Sequence, residues 1–419
     1  MAAHATEIEW THIPGYKGES WNPVVGCSVT SAGCTNCYAM KTAGNRLDGN
    51  PRTPHYAGTT KPSKAGPVWT GKIGKAPEKT LTAPLRWTKP RAVFVNSMGD
   101  LFHPNVPADW IDEVFAVMAL CPQHIFMVLT KHPYRMRDYM RGIKLGVVER
   151  VVELLEIHSG GLRLDNLAEA RDGWERWWPL SNVWLGVSAE DQDTADSRIP
   201  LLLETPAAAR FVSCEPLLEA VDLTWLVDPD EDADGVVDAL RGSNWIDGTG
   251  WRDGWPGIID LPRYRYGSGV GRRRYPQRGE EDSWEPATLR RRGKLDWVIA
   301  GGESGPGARP MHPDWVRSLR DQCAAAGTPF LFKQWGEYAD HTERHAASQC
   351  CDGRADLVLR ADGKIIGAGA KNIGGLVEHG WQEQGAAWMC RVGKKAAGRT
   401  LDGVEHLAWP ERPAGRAAS

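Results

Sequence analysis

The chain repeats one unit: a short, almost continuously apolar run followed by a stretch with helical periodicity. Arg91 to Asn96 (RAVFVN) is such a run, and an amphipathic segment from Pro107 to Leu120 follows it. Its proline stands near the first turn, where a missing N–H costs nothing. Ile125 to Leu129 (IFMVL) precedes a helical region from Tyr134 to about His158, and Val183 to Val187 (VWLGV) precedes Thr194 to Leu203. Arg210 to Ser213 (RFVS) comes next, then Trp297 to Ala300 (WVIA) with a helix from Pro313 to Ala326, then Pro329 to Phe332 (PFLF). Val24 and Val25 are read as the first strand, which makes seven. Strands apolar at successive positions are buried on both faces, so the pattern predicts a parallel sheet covered by helices. Periodicity leaves a barrel and a doubly wound open sheet equally open.

Two stretches break the pattern. Residues 48–90 are rich in Gly, Pro, Thr and Lys and read as an insertion loop. Residues 226–294 open acidic (VDPDEDAD) and end basic, with Arg263, Arg265, Arg272, Arg273, Arg274, Arg278 and Arg290 to Arg292 around Tyr264, Tyr266 and Tyr275. That composition fits a solvated surface insertion, or a flap that sets arginines on phosphates and tyrosines on bases. Residues 1–21 read as an irregular lead-in, 1–338 as the core with its two insertions, and 339–419 as an extension packed on it. The net charge is -3, so any nucleic-acid contact needs a local patch. No apolar run has the length of a membrane span.

Cys27, Cys34 and Cys37 are spaced C-x6-C-x2-C, with Gly26 and Gly33 each preceding a cysteine. Thiolates suit iron–sulfur clusters or zinc, and a cuboidal cluster takes four ligands, so three nearby cysteines predict a centre with one open position. A structural zinc site completed by His55 or a distant cysteine is an alternative, as is a disulfide with a spare thiol. The disulfide sits poorly with a chain that shows no secretion signal and reads as cytoplasmic. His12, His103, His132 and His312 have no metal-ligand spacing.

Polar residues stand at each strand end: Asp100 after the second, Lys131 after the third, Ser188 and Glu190 after the fourth, Glu215 after the fifth. Gly301, Gly302 and Glu303 follow the sixth, and Lys333 the seventh. The carboxyl ends of parallel strands line the ligand site, so these residues are expected to share one pocket with the cysteines. Each carboxylate could instead sit at the start of the next helix. A lysine there is disfavoured by the helix dipole, which predicts that Lys131 and Lys333 pair with carboxylates or an anionic ligand.

A cysteine triplet after the first strand of a parallel α/β chain resembles the radical S-adenosylmethionine (SAM) superfamily. The segments GCSVTSAGCTNCYA, VFVNSMGDLFHP, MVLTKHPYRM, VWLGVS, FVSCEPLL, VIAGGESGPGARPM and PFLFKQWGE together resemble a phage-associated family of unassigned function defined by a three-cysteine motif. SMGDLF and LTKHP are also similar to the branch containing spore photoproduct lyase. The first cysteine gap is six residues here instead of the usual three, and Asn36 replaces the aromatic residue before the third cysteine.

The resemblance implies a partial (β/α)6 TIM-type barrel. It also implies a [4Fe-4S] cluster on Cys27, Cys34 and Cys37, with SAM on the fourth iron and a 5'-deoxyadenosyl radical as the product of its cleavage. By position it puts Asp100 near the methionyl amino group of SAM. Ser188, Glu190 and Glu215 fall near the ribose or carboxylate, Gly301 and Gly302 along the adenine, and Glu303 is a further expected cofactor-binding residue. Lys131, Glu215 and Lys333 are the expected catalytic groups. The expected partners are an electron-donor protein and DNA or RNA held by the Arg/Tyr-rich insertion, in a phage-encoded or prophage-like protein. Two rival readings are a zinc-stabilised nucleic-acid-binding protein without catalysis and a metal-assisted hydrolase. The hydrolase lacks a clustered Asp/His motif.

Overall fold

The computed structural model describes residues 6, 8–142, 145–159, 177–227, 236–246, 288–291, 293–340, 356–368 and 385–411. Seven parallel strands form the main sheet: β1 (Lys17–Trp21), β2 (Arg91–Val95), β3 (Ile125–Thr130), β4 (Val183–Ser188), β5 (Ala209–Cys214), β6 (Trp297–Gly301) and β7 (Phe330–Gln334). The main covering helices are α1 (Ala108–Ala119), α2 (Pro133–Arg141), α3 (Leu145–Ser159), α4 (Gln192–Leu203) and α5 (Pro313–Ala326).

Every strand pairs in parallel with the strand next to it in the chain. A doubly wound sheet reverses strand order at its switch point, and this one never does. The sheet therefore winds one way and curls through 223°, an unclosed barrel of TIM type.

The first strand differs from the sequence-based expectation. Val24–Val25 belongs to a separate two-stranded ladder with Gly74–Lys75, and β1 is KGESW, inside the expected lead-in. Its Glu19 is buried against Arg91 on the neighbouring strand, so a charged residue sits where an apolar run was sought. Residues 48–90 are also more built than a loop. They hold the hairpin Thr60–Lys61 with Val68–Trp69, the strand facing Val24–Val25, and the short helix Glu78–Leu81.

Alternate residues of a strand share a face, and this sorts the core into two layers. Val93, Val95, Val128, Leu185, Val187, Val212, Val298 and Phe332 face the helices. Phe94, Met127, Trp184, Phe211, Trp297, Ile299 and Leu331 fill the concave side. Trp10, from the turn Glu9–Thr11, completes that inner layer, 4.6 Å from the Phe94 ring. The barrel interior is thus a packed plug at its amino-terminal end, as in closed barrels.

Moving up the same inner face, polarity changes. Trp184 and Gly186 lead to Ser188, Phe211 to Ser213, Ile299 to Gly301, and Leu331 to Lys333. On these strands the polar side chains of the inner face gather at the carboxyl-terminal mouth.

The unclosed sheet leaves β7 as an edge, and edges invite unwanted pairing. The C-terminal tail covers it: Phe332 N donates to His406 O at 2.9 Å and Ala408 N to Phe330 O at 3.2 Å. Among its described residues the extension also holds an antiparallel sheet of Tyr338–Asp340, Ala386–Arg391, Asp356–Arg360 and Ile365–Ala368, a short helix Lys394–Ala397 and the hairpin of Thr400–Leu401 with Val404–Glu405. The insertion at 226–294 contributes a second antiparallel sheet of four short strands, the last Thr288–Arg291. Arg263 to Arg278, Tyr264, Tyr266, Tyr275 and Arg292 lie outside the described residues.

Candidate cofactor and substrate site

The cysteine loop leaves β1 and runs alongside the end of β2. Gly26 N donates to Met98 O at 3.1 Å, and Gly26 bridges Gly99 in parallel. Gly26 has φ +92, and a side chain there would strike the Lys72 carbonyl, so glycine is required on both counts. Gly33 is small for another reason: a Cβ would lie 2.5 Å from the Glu190 side chain. The loop is pressed onto a buried carboxylate.

Two polar clamps hold the loop across the mouth. On one side Glu190, fully buried, pairs with Lys131 and with Arg198 at 3.0 Å. Ser31 Oγ donates to Glu190 Oε1 at 3.2 Å, and Lys131 Nζ reaches Ser31 Oγ at 2.9 Å and Cys34 Sγ at 3.5 Å. On the other side Glu303 accepts from Asn36 Nδ2 at 3.0 Å and from Arg309 N, Nε and Nη2 at 2.8, 2.9 and 2.6 Å. Arg309 Nη2 also donates to Ala32 O at 3.0 Å. Strands β3 and β4 grip one end of the cysteine loop and the segment after β6 grips the other.

The three thiols are near enough to perturb one another electrostatically, and they differ. Burial raises the Cys27 pKa, and Asp100, Cys37 and Cys34 raise it further. Burial also raises Cys37, partly offset by the Met40 and Ala39 N–H groups of the short helix Tyr38–Thr42. Burial pushes Cys34 up too, but the Lys131 ammonium and the backbone at Thr30 and Ser31 more than offset it, leaving its pKa below the ordinary thiol value. The remaining described cysteines, Cys121, Cys214, Cys323 and Cys390, are buried elsewhere. Among the described residues no group of three or more His, Cys, Asp or Glu side chains is already gathered as a metal cage, so the loop sulfurs would have to close on a metal. Three thiols on one clamped loop form a donor set suited to a cluster or zinc.

Lys333 Nζ pairs with Glu215 Oε1 at 3.0 Å, and Ser213 Oγ donates to Glu215 Oε2 at 3.2 Å. Burial works against the Lys333 ammonium, but Glu215 and Glu9 more than offset this and raise its pKa. Both strand-end lysines thus have carboxylate partners. Tyr38, which follows Cys37, is 54% exposed and donates from its hydroxyl to Ser97 O at 3.0 Å.

Asp100 is buried and occupied by protein groups. It accepts from Phe102 N at 2.9 Å, Thr130 Oγ1 at 2.7 Å and Lys131 N at 2.9 Å, tying the end of β2 to the end of β3. Ser188 is buried, and its carbonyl accepts from Arg198 Nη1 at 2.9 Å. The close approaches that Gly301 and Gly302 permit are to the protein itself. A Cβ on Gly301 would meet Glu215 Oε1 at 2.8 Å, and one on Gly302 would strike the Trp335 backbone. None of the four strand-end carboxylates is a helix N-cap. Asp191 caps α4 in a capping box with Thr194, and His312 caps α5. Sequence reasoning did not single out Ser31, Arg198 or Arg309, and it noted Asn36 only as a departure from the family's cysteine motif. Arg309 lies in GESGPGARPM, six residues from Glu303, and only the fold shows that the two meet.

The Glu303 clamp has a pH signature. Burial raises its carboxyl pKa, but Arg309 and Asn36 more than offset this and leave it below the ordinary value. The stability it contributes is therefore full above the unfolded glutamate pKa, about 4.3, and lost as pH falls through the lower folded value. Glu303→Gln is expected to flatten this part of the stability–pH profile measured by urea unfolding. An unchanged profile would show that Glu303 does not hold the loop.

A parallel half-barrel with a clamped three-cysteine loop at its carboxyl-terminal mouth defines the class of architecture. The model of the family described as "Protein of unknown function (DUF5131)" matches residues 5–410, and the chain belongs to that family. No curated protein and no solved structure matches the chain. Among the described residues, no helix is long and apolar enough to cross a membrane.

Proposed function

We propose that this chain is an iron–sulfur enzyme of radical SAM type, acting on a nucleobase in DNA or RNA. One observation carries the reading: three thiols sit on a single clamped loop at the end of the half-barrel where the inner face turns from aromatic to polar. Cys27, Cys34 and Cys37 would hold a [4Fe-4S] cluster, and the cluster with bound SAM would supply a 5'-deoxyadenosyl radical on reduction by a donor protein.

The chain's own residues do the rest. Lys131 sets a positive charge beside Cys34, which favours the thiolate a metal needs. Glu190 and Arg198 fix Lys131 in place, and Arg309 with Glu303 fixes the opposite arm of the loop. Glu215 and Lys333 form a charged floor above the aromatic plug, placed to orient polar groups of SAM or substrate. The packed plug closes the barrel below the mouth, which would shield a reactive species held there from water.

Anaerobic reconstitution with iron and sulfide is expected to give a brown protein that releases 5'-deoxyadenosine from SAM under dithionite. A brown protein that leaves SAM intact would reduce the proposal to cluster binding. A colourless, zinc-loaded protein would replace it with the zinc-stabilised binding module.

A further inference from the structure

Basic charge in this chain is concentrated beside the cysteine loop. Between residues 41 and 89, ten side chains are Lys or Arg and two are Asp or Glu, a local charge of +8 in a chain whose net charge is -3. The two ends of this excursion behave differently. At the far end Lys75 pairs with Glu113, Glu78 takes Arg150 from α3, and Arg86 donates to Thr82 Oγ1 and the Lys79 carbonyl, which leaves Lys79 and Lys89 exposed. At the near end Arg46, Arg52, Lys61, Lys64 and Lys72 are exposed, and none has a carboxylate partner among the ion pairs of the described residues. The one acidic residue there, Asp48, is half-buried and engaged by the hairpin, accepting from Gly58 N, Thr60 N and Thr60 Oγ1 at 2.8, 3.0 and 2.7 Å.

This near end is built as one piece with the mouth. The helix after Cys37 runs straight into the turn Ala43–Leu47, whose Gly44 lies against Pro67 and Thr60 of the hairpin. Gly71 N donates to Cys27 O at 3.1 Å. An exposed aromatic side chain, Tyr38, stands directly after Cys37 on the helix that leads into this end. Unpaired cations that track a backbone, next to exposed rings on which bases stack, are the two components of a single-strand binding groove.

We infer that the surface formed by Arg46, Arg52, Lys61 and Lys64, continuing to Tyr38, binds a nucleic-acid single strand and leads it to the cysteine loop. The inference deepens the proposed function by assigning the strand to this surface instead of the arginines at 263–292. It concerns binding alone, so it holds or fails whether or not a cluster forms.

The test is fluorescence anisotropy of a labelled single-stranded oligonucleotide with the full chain across a salt series, before and after iron–sulfide reconstitution. Binding is expected in both states, with affinity falling steeply as salt rises. The variant R46Q/R52Q/K61Q/K64Q is expected to bind at least tenfold more weakly at low salt. Its log–log salt slope should be shallower by about 3, since each phosphate contact on a single strand contributes about 0.7. Tyr38→Ala should weaken binding about tenfold or more with the slope unchanged, the signature of lost stacking. All four substituted cations are exposed, and an unchanged thermal melt confirms the fold. Unchanged affinity and slope in the quadruple variant would overturn the inference. So would loss of binding only on neutralising the arginines of 263–292, or capture of an acidic protein but no oligonucleotide.

Discussion

Glu190→Ala is expected to destabilise the protein by about 3–5 kcal/mol, the cost of breaking a buried ion pair from one side. Glu190 is fully buried and answers two cations, Lys131 and the buried Arg198, so its removal strands both. Burial alone would push its carboxyl up, yet Lys131 and Arg198 together hold it below the ordinary value. Urea unfolding should show the midpoint falling with the slope preserved. Adding Lys131→Met should recover part of the loss, because the two side chains share one interaction and their effects do not add. A loss below about 1 kcal/mol, the range of exposed pairs, would mean that the Glu190 ion pairs with Lys131 and Arg198 are not what pins the cysteine loop.

Serine substitution at Cys27, Cys34 or Cys37 is expected to reduce iron in the reconstituted protein from about four atoms per chain, the cubane content, to nearly none. The controls are Cys214→Ser and Cys323→Ser. Both thiols are packed into the helix-facing hydrophobic core and neither lies on the cysteine loop, so they serve as packing groups. These controls should cost stability and leave iron unchanged. Iron retained in any one of the three loop variants would remove that cysteine from the ligand set.

How much of this could be read in advance depends on where the burial lies. Strands β2 to β7 were legible because both faces are buried, and an apolar run is the direct imprint of that. Strand β1 was not, because Glu19 is buried through a pair with Arg91 that lies seventy-two positions further along the chain. The parallel sheet was legible in the apolar runs, whereas its one-way winding leaves no periodicity and was expected only through the family resemblance, which the half-barrel bears out. In the site, the cysteines announce themselves by spacing, and Lys131 and Lys333 by standing where the helix dipole disfavours a cation. Each met a carboxylate. The clamp residues Ser31, Asn36 and Arg309 are ordinary polar residues in ordinary loops, and their role exists only in the fold.

The proposed enzymatic function depends on what the three sulfurs hold. Iron, acid-labile sulfide and zinc should be measured, together with the visible spectrum, on protein purified without exposure to air. The account predicts iron and sulfide in equal amounts with a broad visible absorption that dithionite bleaches. A colourless protein carrying one zinc per chain would contradict it.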